Sequence, residues 1–224
     1  MSRDNLIYSK QSGVALLEIN RPDTGNRIDP SLALEMRELL VDISLDSDIK
    51  VLVLTGKGDV FCSGDDISMI DLASGFSGDQ LADYLRSNMI SKLLASLEIP
   101  TICSLNGDAF GHGLELALAC DIRIATADTR VGFPDITKGI MPWDGGTQRL
   151  PRTIGLAWAT DLLLTGRIVA SDELIAIGLA HTIVPSSDLK DYVKSVAVSI
   201  SNMAPIATKY IKEAIYKGID LTLD

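Results

Sequence analysis

The stretch of sequence that decides the fold is residues 100–150, PTICSLNGDAFGHGLELALACDIRIATADTRVGFPDITKGIMPWDGGTQRL. It starts with an apolar run at 102–105, which predicts a buried strand. Glycines at 107, 111 and 113 follow, spaced so that the backbone can pass close to another group. A helical pattern over 114–120 opens directly out of these glycines. The stretch therefore predicts a strand, a glycine-rich loop and a helix in immediate succession.

One carboxylate, Glu115, lies inside this helical pattern. The residues on both sides of it are apolar, so the predicted helix is apolar on every face, and such helices are buried. A buried carboxylate is costly unless it is paired, protonated or part of a site. Pairing with Arg123 or Arg149 is one interpretation. Two further carboxylates in the same stretch, Asp135 and Asp144, favour the other interpretation, a site.

Length and composition are those of an ordinary globular protein. The chain has 224 residues and a mass of 24.0 kDa, which fits one domain or one domain with a small appendage. Its 46% hydrophobic and 22% charged residues provide ample material for a core. No apolar run reaches the roughly 18–20 residues of a membrane span, and the N-terminus lacks the apolar region of a signal peptide. Three cysteines, none in a CxxC pair, favour a reduced, cytoplasmic setting.

The net charge of −10 restricts the classes of partner. Nucleic-acid binding needs a basic surface, so the acidic balance argues against it. An anionic ligand must be held by local groups, because the overall field repels it. The two histidines, His112 and His181, are far apart in sequence and belong to no metal-binding motif, so no metal site is expected.

The order of the predicted elements indicates an α/β fold. The runs at 14–19 and 51–54 predict strands, and the second is apolar throughout, as in a strand buried on both faces. A helix is predicted between them, with Ser31 as its N-cap and apolar residues along one face. Strands and helices alternate over the first two thirds, and helices with one short extended piece at 182–184 follow.

Three blocks of sequence resemble the signatures of the enoyl-CoA hydratase/isomerase (crotonase) family. They are VLVLTGKGDVFCSGDDISMI at 51–70, GDAFGHGLELALACDIRIAT at 107–126 and FPDITKGIMPWDGGTQRLPRTIG at 133–155. The blocks stand in the family's order, and the similarity runs from about residue 7 to the end of the chain. Three ordered blocks are far more specific than any single glycine motif.

The resemblance implies an α/β fold that is a crotonase-like coil of ββα units with a helical C-terminal part. Residues 1–145 would form the coil, which carries the oxyanion loops and the catalytic carboxylates, and residues 146–224 would form the helical region. Family members usually continue beyond the position of Asp224, with a last helix over the ligand. Either the C-terminal region is truncated relative to the family, or the coenzyme site is partly open.

The resemblance also implies an oxyanion hole made by the backbone N–H groups of Asp65 and His112. In acyl-CoA chemistry negative charge develops on the thioester oxygen, and two N–H donors aimed at that oxygen stabilise it. Gly64 permits a sharp turn after the strand, and residue 112 opens a helix, whose dipole favours an anion. His112 replaces a residue that is more often glycine in the family, and only its backbone is needed. Taken alone, both loops could be simple tight turns.

Glu115 and Asp135 occupy the positions of the family's two catalytic glutamates. In a hydration one carboxylate activates water and a carboxylic acid protonates the α-carbon. Neighbouring carboxyls perturb each other, so one of them can stay protonated near neutral pH. Asp135 is shorter than glutamate by one methylene, roughly 1.5 Å of reach. Asp144 matches a catalytic aspartate of ring-forming or ring-cleaving relatives and is the third catalytic candidate; its alternative role is the N-cap of a helix at 145–154.

The expected substrate is an acyl-CoA thioester, with no separate cofactor because coenzyme A is part of the substrate. The expected assembly is a homotrimer or a dimer of trimers, with no nucleic-acid and no membrane partner. The residues expected to contact substrate or coenzyme are Arg27, Ser63, Gly64, Asp66, Ile67, Gly111 and Trp143.

Enoyl-CoA hydratase is the expected activity, and several alternatives stay open. An isomerase, or an alicyclic-ring acyl-CoA hydratase or hydrolase, would use Asp144, and an idle acyl-CoA-binding relative would use no carboxyl. A nucleotide-binding loop fits less well, because GDAFGHG does not meet GxGxxG. A nucleophilic hydrolase built from Cys62 or Ser63 with His112 lacks a GxSxG elbow.

Overall fold

The structure is a computed structural model that describes residues 4–66, 75–170, 172–219 and 221–222. Its strands are β1 (Leu6–Gln11), β2 (Val14–Ile19), β3 (Val51–Gly56), β4 (Val60–Cys62), β5 (Thr101–Leu105), β6 (Asp108–Phe110), β7 (Ile122–Thr126), β8 (Arg130–Gly132), β9 (Ile168–Ala170) and β10 (Thr182–Val184). Its helices are α1 (Pro30–Leu45), α2 (Gly78–Asn88), α3 (Ile90–Ala95), α4 (His112–Ala119), α5 (Gly146–Ile154), α6 (Leu156–Thr165), α7 (Asp172–Ala176), α8 (Leu189–Ser201) and α9 (Pro205–Gly218).

The strands form a coil in which each turn contributes one strand to each of two sheets. The first sheet has six strands in the order β1-β2-β3-β5-β7-β10, and the second has four in the order β4-β6-β8-β9. The successive pairs β3/β4, β5/β6 and β7/β8 each place their first strand in the larger sheet and their second in the smaller one. Strands β3, β5 and β7 are parallel to one another, as are β4, β6 and β8. Helix α4 follows β6 as the helix of a ββα unit. The predicted fold class is therefore confirmed.

The central strands are buried on both faces because two layers of helix cover the larger sheet. Residues of β3 alternate between the two sides: Leu52 and Leu54 belong to the main core with α1, whereas Val51 and Val53 pack with α8. This arrangement explains why the predicted strand at 51–54 is apolar throughout rather than alternating. Helix α1 begins at Pro30, and its N-cap is Asp29 rather than the predicted Ser31.

The C-terminal part is mainly helical, but it also adds a strand to each sheet. Strand β9 pairs antiparallel with β8, and β10, predicted as an extended piece, pairs parallel with β7. The division of the chain at residues 145 and 146 stays a prediction. Within the ranges that the structure describes, none of the helices has the length and apolar character needed to traverse a bilayer.

Candidate active site

Two glycine loops meet at the carboxyl ends of β4 and β6. Gly64 has a φ of +93°, and a Cβ placed on it would lie 3.0 Å from the carbonyl oxygen of Phe110 and 3.6 Å from the amide nitrogen of His112. Gly111 has a φ of +52°. Glycine is required at both positions because a side chain would be strained and would push the two loops apart. The chain segments that carry the predicted oxyanion donors are therefore in direct contact.

The N–H groups of Asp65 and His112 are available to a ligand. Among the described residues, neither N–H has a hydrogen-bond acceptor. Residue 112 is the first residue of α4, so its N–H belongs to the unpaired first turn of a helix, where the helix dipole also favours negative charge. The oxyanion-binding role of this pair stays a prediction.

Glu115 lies deep in the protein, as the apolar helix around it predicts. Every residue of α4 is buried, and Glu115 is only 1% exposed. Its Oε1 accepts hydrogen bonds from the N–H groups of Asp144 (2.9 Å) and Gly146 (2.7 Å). The alternative of an arginine ion pair is wrong: Arg149 donates to the carbonyl of Asp144, and Arg123 donates to the carbonyls of Cys120 and Leu179.

The environment of Glu115 makes its protonated form accessible near neutral pH. Burial raises the pKa of Glu115 to about 7, and the charge of Asp144 acts in the same direction. The charge of His112 and the two N–H groups on Oε1 lower the pKa but only partly offset the burial. A carboxyl with a pKa near the working pH can both give and take a proton, which suits acid–base catalysis.

This shift predicts a pH-dependent gain in stability for Glu115→Gln. The folded pKa of Glu115, about 7, lies above the ordinary 4.5. The protonated carboxyl therefore contributes its full stability to the wild-type protein below about pH 4.5, and this contribution is lost as pH rises through 7. Glutamine keeps the acceptor oxygen but cannot ionise. Between pH 5 and pH 8 the free energy of unfolding of the variant should therefore rise relative to wild type, by up to about 3 kcal/mol. Urea unfolding at both pH values measures it, with exposed Glu38→Gln as the charge control.

Asp135 lies against the loop that contains Gly111 and His112. It stands in a short 3-10 turn, Pro134–Lys138, and its side chain is 30% exposed, with Oδ1 3.4 Å from Nζ of Lys138. A Cβ on Gly111 would lie 2.5 Å from Oδ2 of Asp135, so the carboxylate rests directly against that glycine. The shorter side chain therefore still reaches the loop that carries the predicted oxyanion donor.

Glu115 and Asp135 line one small cleft together with Asp65 and the loop that contains Gly111. The cleft is small, with room for about one water. Two carboxyls of different exposure and the two residues that carry the predicted oxyanion donors thus line one small space. The other described residues of the lining are His112, Phe133, Ile140, Met141, Pro142 and Trp143.

Asp144 is not among the described residues that line this cleft, and its oxygens are engaged elsewhere. Oδ2 accepts from the N–H of Ser91 (2.5 Å) and contacts Nε2 of His112 (3.0 Å), while Oδ1 accepts from the N–H of Lys92 (3.3 Å). Ser91 and Lys92 belong to the first turn of α3. The expectation that Asp144 caps the following helix is therefore wrong, because α5 has Gly145 at its N-cap and Asp144 caps α3 instead.

The side chain of His112 is the site feature that sequence reasoning missed. It is fully buried, with Nδ1 2.7 Å from Oδ1 of Asp65 and Nε2 3.0 Å from Oδ2 of Asp144. Trp143 donates from Nε1 to Oδ2 of Asp65 (3.1 Å), and its ring meets the imidazole edge-on with centroids 4.7 Å apart. The only signal in the sequence is a histidine in a glycine-rich turn near acidic residues, which does not specify these contacts.

Of the residues predicted to contact substrate or coenzyme, Gly111 and Trp143 line the cleft. Gly64 shapes the loop next to it. The Ser63 hydroxyl donates to the carbonyl of Gly25, the N–H of Asp66 donates to the carbonyl of Ile28, and the carbonyl of Arg27 accepts from Arg21. Ile67 lies outside the described residues. The binding roles of all seven stay predictions.

Comparisons with known proteins agree with this geometry. The family model described as enoyl-CoA hydratase/isomerase matches residues 9–224. The short-chain-enoyl-CoA hydratase of Clostridium acetobutylicum is 36% identical over 100% of this chain and 85% of its own length. The crotonyl-CoA hydratase of Syntrophomonas wolfei is 33% identical over 100% of this chain and 86% of its own length. The crystal structure of the enoyl-CoA hydratase of Bacillus anthracis superposes with a TM-score of 0.91 at 33% identity, over 98% of this chain and 85% of that one. Fold, site and sequence together show that the chain belongs to the enoyl-CoA hydratase/isomerase family.

Proposed function

We propose that the protein is an enoyl-CoA hydratase that adds water across the α,β double bond of an acyl-CoA thioester. The observation that carries the proposal is the small cleft that Glu115, Asp135, Asp65 and His112 line together. Within the described part of the chain, the N–H groups of Asp65 and His112 have no acceptor. The names of the two relatives above, a short-chain-enoyl-CoA hydratase and a crotonyl-CoA hydratase, support the same chemistry.

In the proposed reaction the thioester oxygen lies between the N–H groups of Asp65 and His112. One carboxyl of the pair Glu115 and Asp135 takes a proton from water as the water oxygen bonds to the β-carbon. The π electrons of the double bond move toward the thioester oxygen, and the enolate charge is held by the two N–H groups. The other carboxyl, in its acid form, gives a proton to the α-carbon. The pair therefore needs one proton between its members in the active state, which the raised pKa of Glu115 favours near neutral pH.

The contacts of Asp144 favour the hydratase over an isomerase or a ring enzyme that would use this carboxylate. Both of its oxygens already accept hydrogen bonds from the first turn of α3, and one of them also contacts His112. A proton-transfer role for Asp144 would require the loss of these bonds. Asp135, which lines the cleft and is partly exposed, needs no such rearrangement.

The proposed activity is tested by assaying straight-chain, branched and alicyclic enoyl-CoA esters for loss of the absorbance of the conjugated thioester. Short straight-chain esters should be hydrated fastest, in line with the names of the two relatives above. A protein that binds these esters without any turnover is the idle relative, and that result would contradict the proposal.

We expect turnover to be insensitive to chelators. The proposed reaction requires only backbone donors and carboxyls to hold the enolate, so no metal or redox cofactor takes part. Prolonged dialysis against EDTA should leave kcat and KM unchanged, as measured with crotonyl-CoA. Loss of activity that a divalent ion restores would contradict this part of the proposal.

We expect the chain to assemble into a trimer or a dimer of trimers, and the C-terminal helices are the candidate contact surface. Helix α9 exposes a set of large apolar side chains, Ile206, Tyr210, Ile211, Ile215 and Tyr216. Sedimentation at micromolar concentration should give a multiple of the 24.0 kDa chain mass, and a monomer mass would contradict the expectation.

A cytoplasmic location is the setting that the cysteines support. Cys62, Cys103 and Cys120 are all free and buried. Burial raises the pKa of Cys62 to about 12, so this thiol is protonated and inert under ordinary conditions.

A further inference from the structure

The imidazole of His112 stands at the centre of a buried cluster of carboxylates. Its two ring nitrogens contact one oxygen of Asp65 and one oxygen of Asp144, at 2.7 Å and 3.0 Å. Its own side chain and that of Asp144 are fully buried. The charged groups that face it come from two loops and a helix: Asp65 after β4, Asp144 before α5, and Glu115 one turn further along α4.

The contacts on both ring nitrogens favour the doubly protonated form of this ring. Between two ionised carboxylates, which only accept hydrogen bonds, both ring nitrogens donate, and an imidazole with two N–H groups is a cation. The pKa of His112 agrees in direction: burial opposes the charge, but the charge of Asp65 and the hydrogen bonds to Asp144 and Asp65 raise the pKa to about 10.

One cation thus connects the two loops that carry the predicted oxyanion donors with the loop that holds Glu115. The backbone N–H of His112 is one oxyanion donor, and its side chain holds the residue that carries the other, Asp65. Its second nitrogen holds Asp144, whose own N–H donates to Glu115. A shift of the imidazole would therefore move both oxyanion donors and the carboxyl of Glu115 relative to one another.

We propose that the side chain of His112 is a positioning residue for the reaction, a buried cation that ties the two oxyanion loops to the loop that holds Glu115. This inference rests on the hydratase proposed above, and it adds a role for a side chain where the reaction needs only a backbone N–H. The cation also offsets the charge of Asp144 next to Glu115. Without it, the charge of Asp144 would stand unbalanced beside Glu115, and Glu115 would be harder to ionise.

The charge is tested directly by NMR, without any activity measurement. The chain has two histidines, so the ring signals can be assigned with His112→Gln and His181→Gln. The His112 ring should keep the shifts of a doubly protonated imidazolium through pH 9. His181 should titrate below the ordinary value, because burial and the charge of Arg123 lower its pKa. A His112 ring that is neutral at pH 7 would overturn the proposal.

The positioning role is tested by the pH profile of kcat/KM with crotonyl-CoA. His112→Gln keeps the backbone donor and one hydrogen bond but removes the charge. We expect kcat to fall by about 10- to 100-fold, as for a misplaced catalytic group, with a smaller change in KM. One limb of this pH profile is set by the ionisation of Glu115 and should be absent in Glu115→Gln. In His112→Gln this limb should move to higher pH. His181→Gln is the matched control and should leave both kcat and the limb in place.

A second substitution separates positioning from folding. Asp144→Asn in the His112→Gln background removes the unbalanced carboxylate whose charge raises the pKa of Glu115. The Glu115 limb should therefore return toward its wild-type pH in the double variant.

If His112→Gln lowers only thermal stability, and the folded protein keeps the wild-type kcat and the wild-type position of this limb, the residue is structural and the proposal is wrong. If wild type hydrates no enoyl-CoA ester, the proposed function fails instead, and the NMR titration still decides whether the buried cation exists.

Discussion

Glu115→Gln and Asp135→Asn should each lower kcat by about 10²–10⁴-fold, the usual contribution of a positioned acid or base. Both side chains line the cleft, and each substitution removes proton transfer while it keeps the shape of the side chain. Because the two carboxyls act as one unit that shares a proton, the double variant should be little worse than the poorer single one. Steady-state kinetics with crotonyl-CoA measures all three variants.

Asp144→Asn is the comparison that identifies the working carboxyls. Its carboxylate caps α3 and contacts His112, so we expect Asp144→Asn to lose stability. Its kcat should fall by about tenfold or less, a smaller fall than in either variant above. If Asp144→Asn is instead as damaging as Glu115→Gln while Asp135→Asn is mild, then Asp144 transfers the proton. The hydratase would then give way to an isomerase or a ring enzyme.

Gly146→Ala should lower kcat by about 10- to 100-fold through displacement of Glu115, since a shift of about 1 Å at a catalytic group has effects of this size. Gly146 is the first residue of α5, and a Cβ there would lie 2.9 Å from Oε1 of Glu115 and 2.8 Å from Cβ of Pro142. Its backbone is helical, so alanine introduces no backbone strain, and the contacts with Glu115 and Pro142 are the cause of the effect.

Gly78→Ala is the matched control for this substitution. Gly78 is also the first residue of a helix, α2, and a Cβ there meets none of the described residues within 4 Å. It should leave kcat and the melting temperature close to wild type. A Gly146→Ala variant with unchanged kcat would show that the carboxyl of Glu115 tolerates displacement, which contradicts its placement as a group positioned by the Asp144 and Gly146 N–H groups.

The sequence predicts those parts of the fold and site that depend on local pattern. An apolar run at 51–54 identifies a strand covered on both faces, and an apolar helix around Glu115 identifies a buried carboxylate. The glycines at 64 and 111 identify two tightly packed loops: a Cβ at 64 would meet the backbone, and a Cβ at 111 would meet the carboxylate of Asp135. These features are encoded within a few residues, so the pattern is sufficient to find them.

Contacts between distant segments are the part that the sequence did not predict. Asp144 stands next to a helix start and has the residue type of an N-cap, yet it caps a helix whose first turn is 53 residues earlier. Its loop folds back over α4, which brings Ser91 and His112 within reach. The same folding places the imidazole between two carboxylates. Choosing Ser31 over Asp29 as the cap of α1 is a smaller error, because both residue types suit that position.

The most direct test of the account is the conversion of crotonyl-CoA in deuterium oxide, followed by mass spectrometry of the product. The two carboxyls and the oxyanion donors predict a 3-hydroxyacyl-CoA with solvent oxygen on the β-carbon and one deuterium on the α-carbon. Glu115→Gln should form this product at least about 100-fold more slowly than wild type. An isomerised ester without added oxygen, or a Glu115→Gln variant as fast as wild type, would contradict the account.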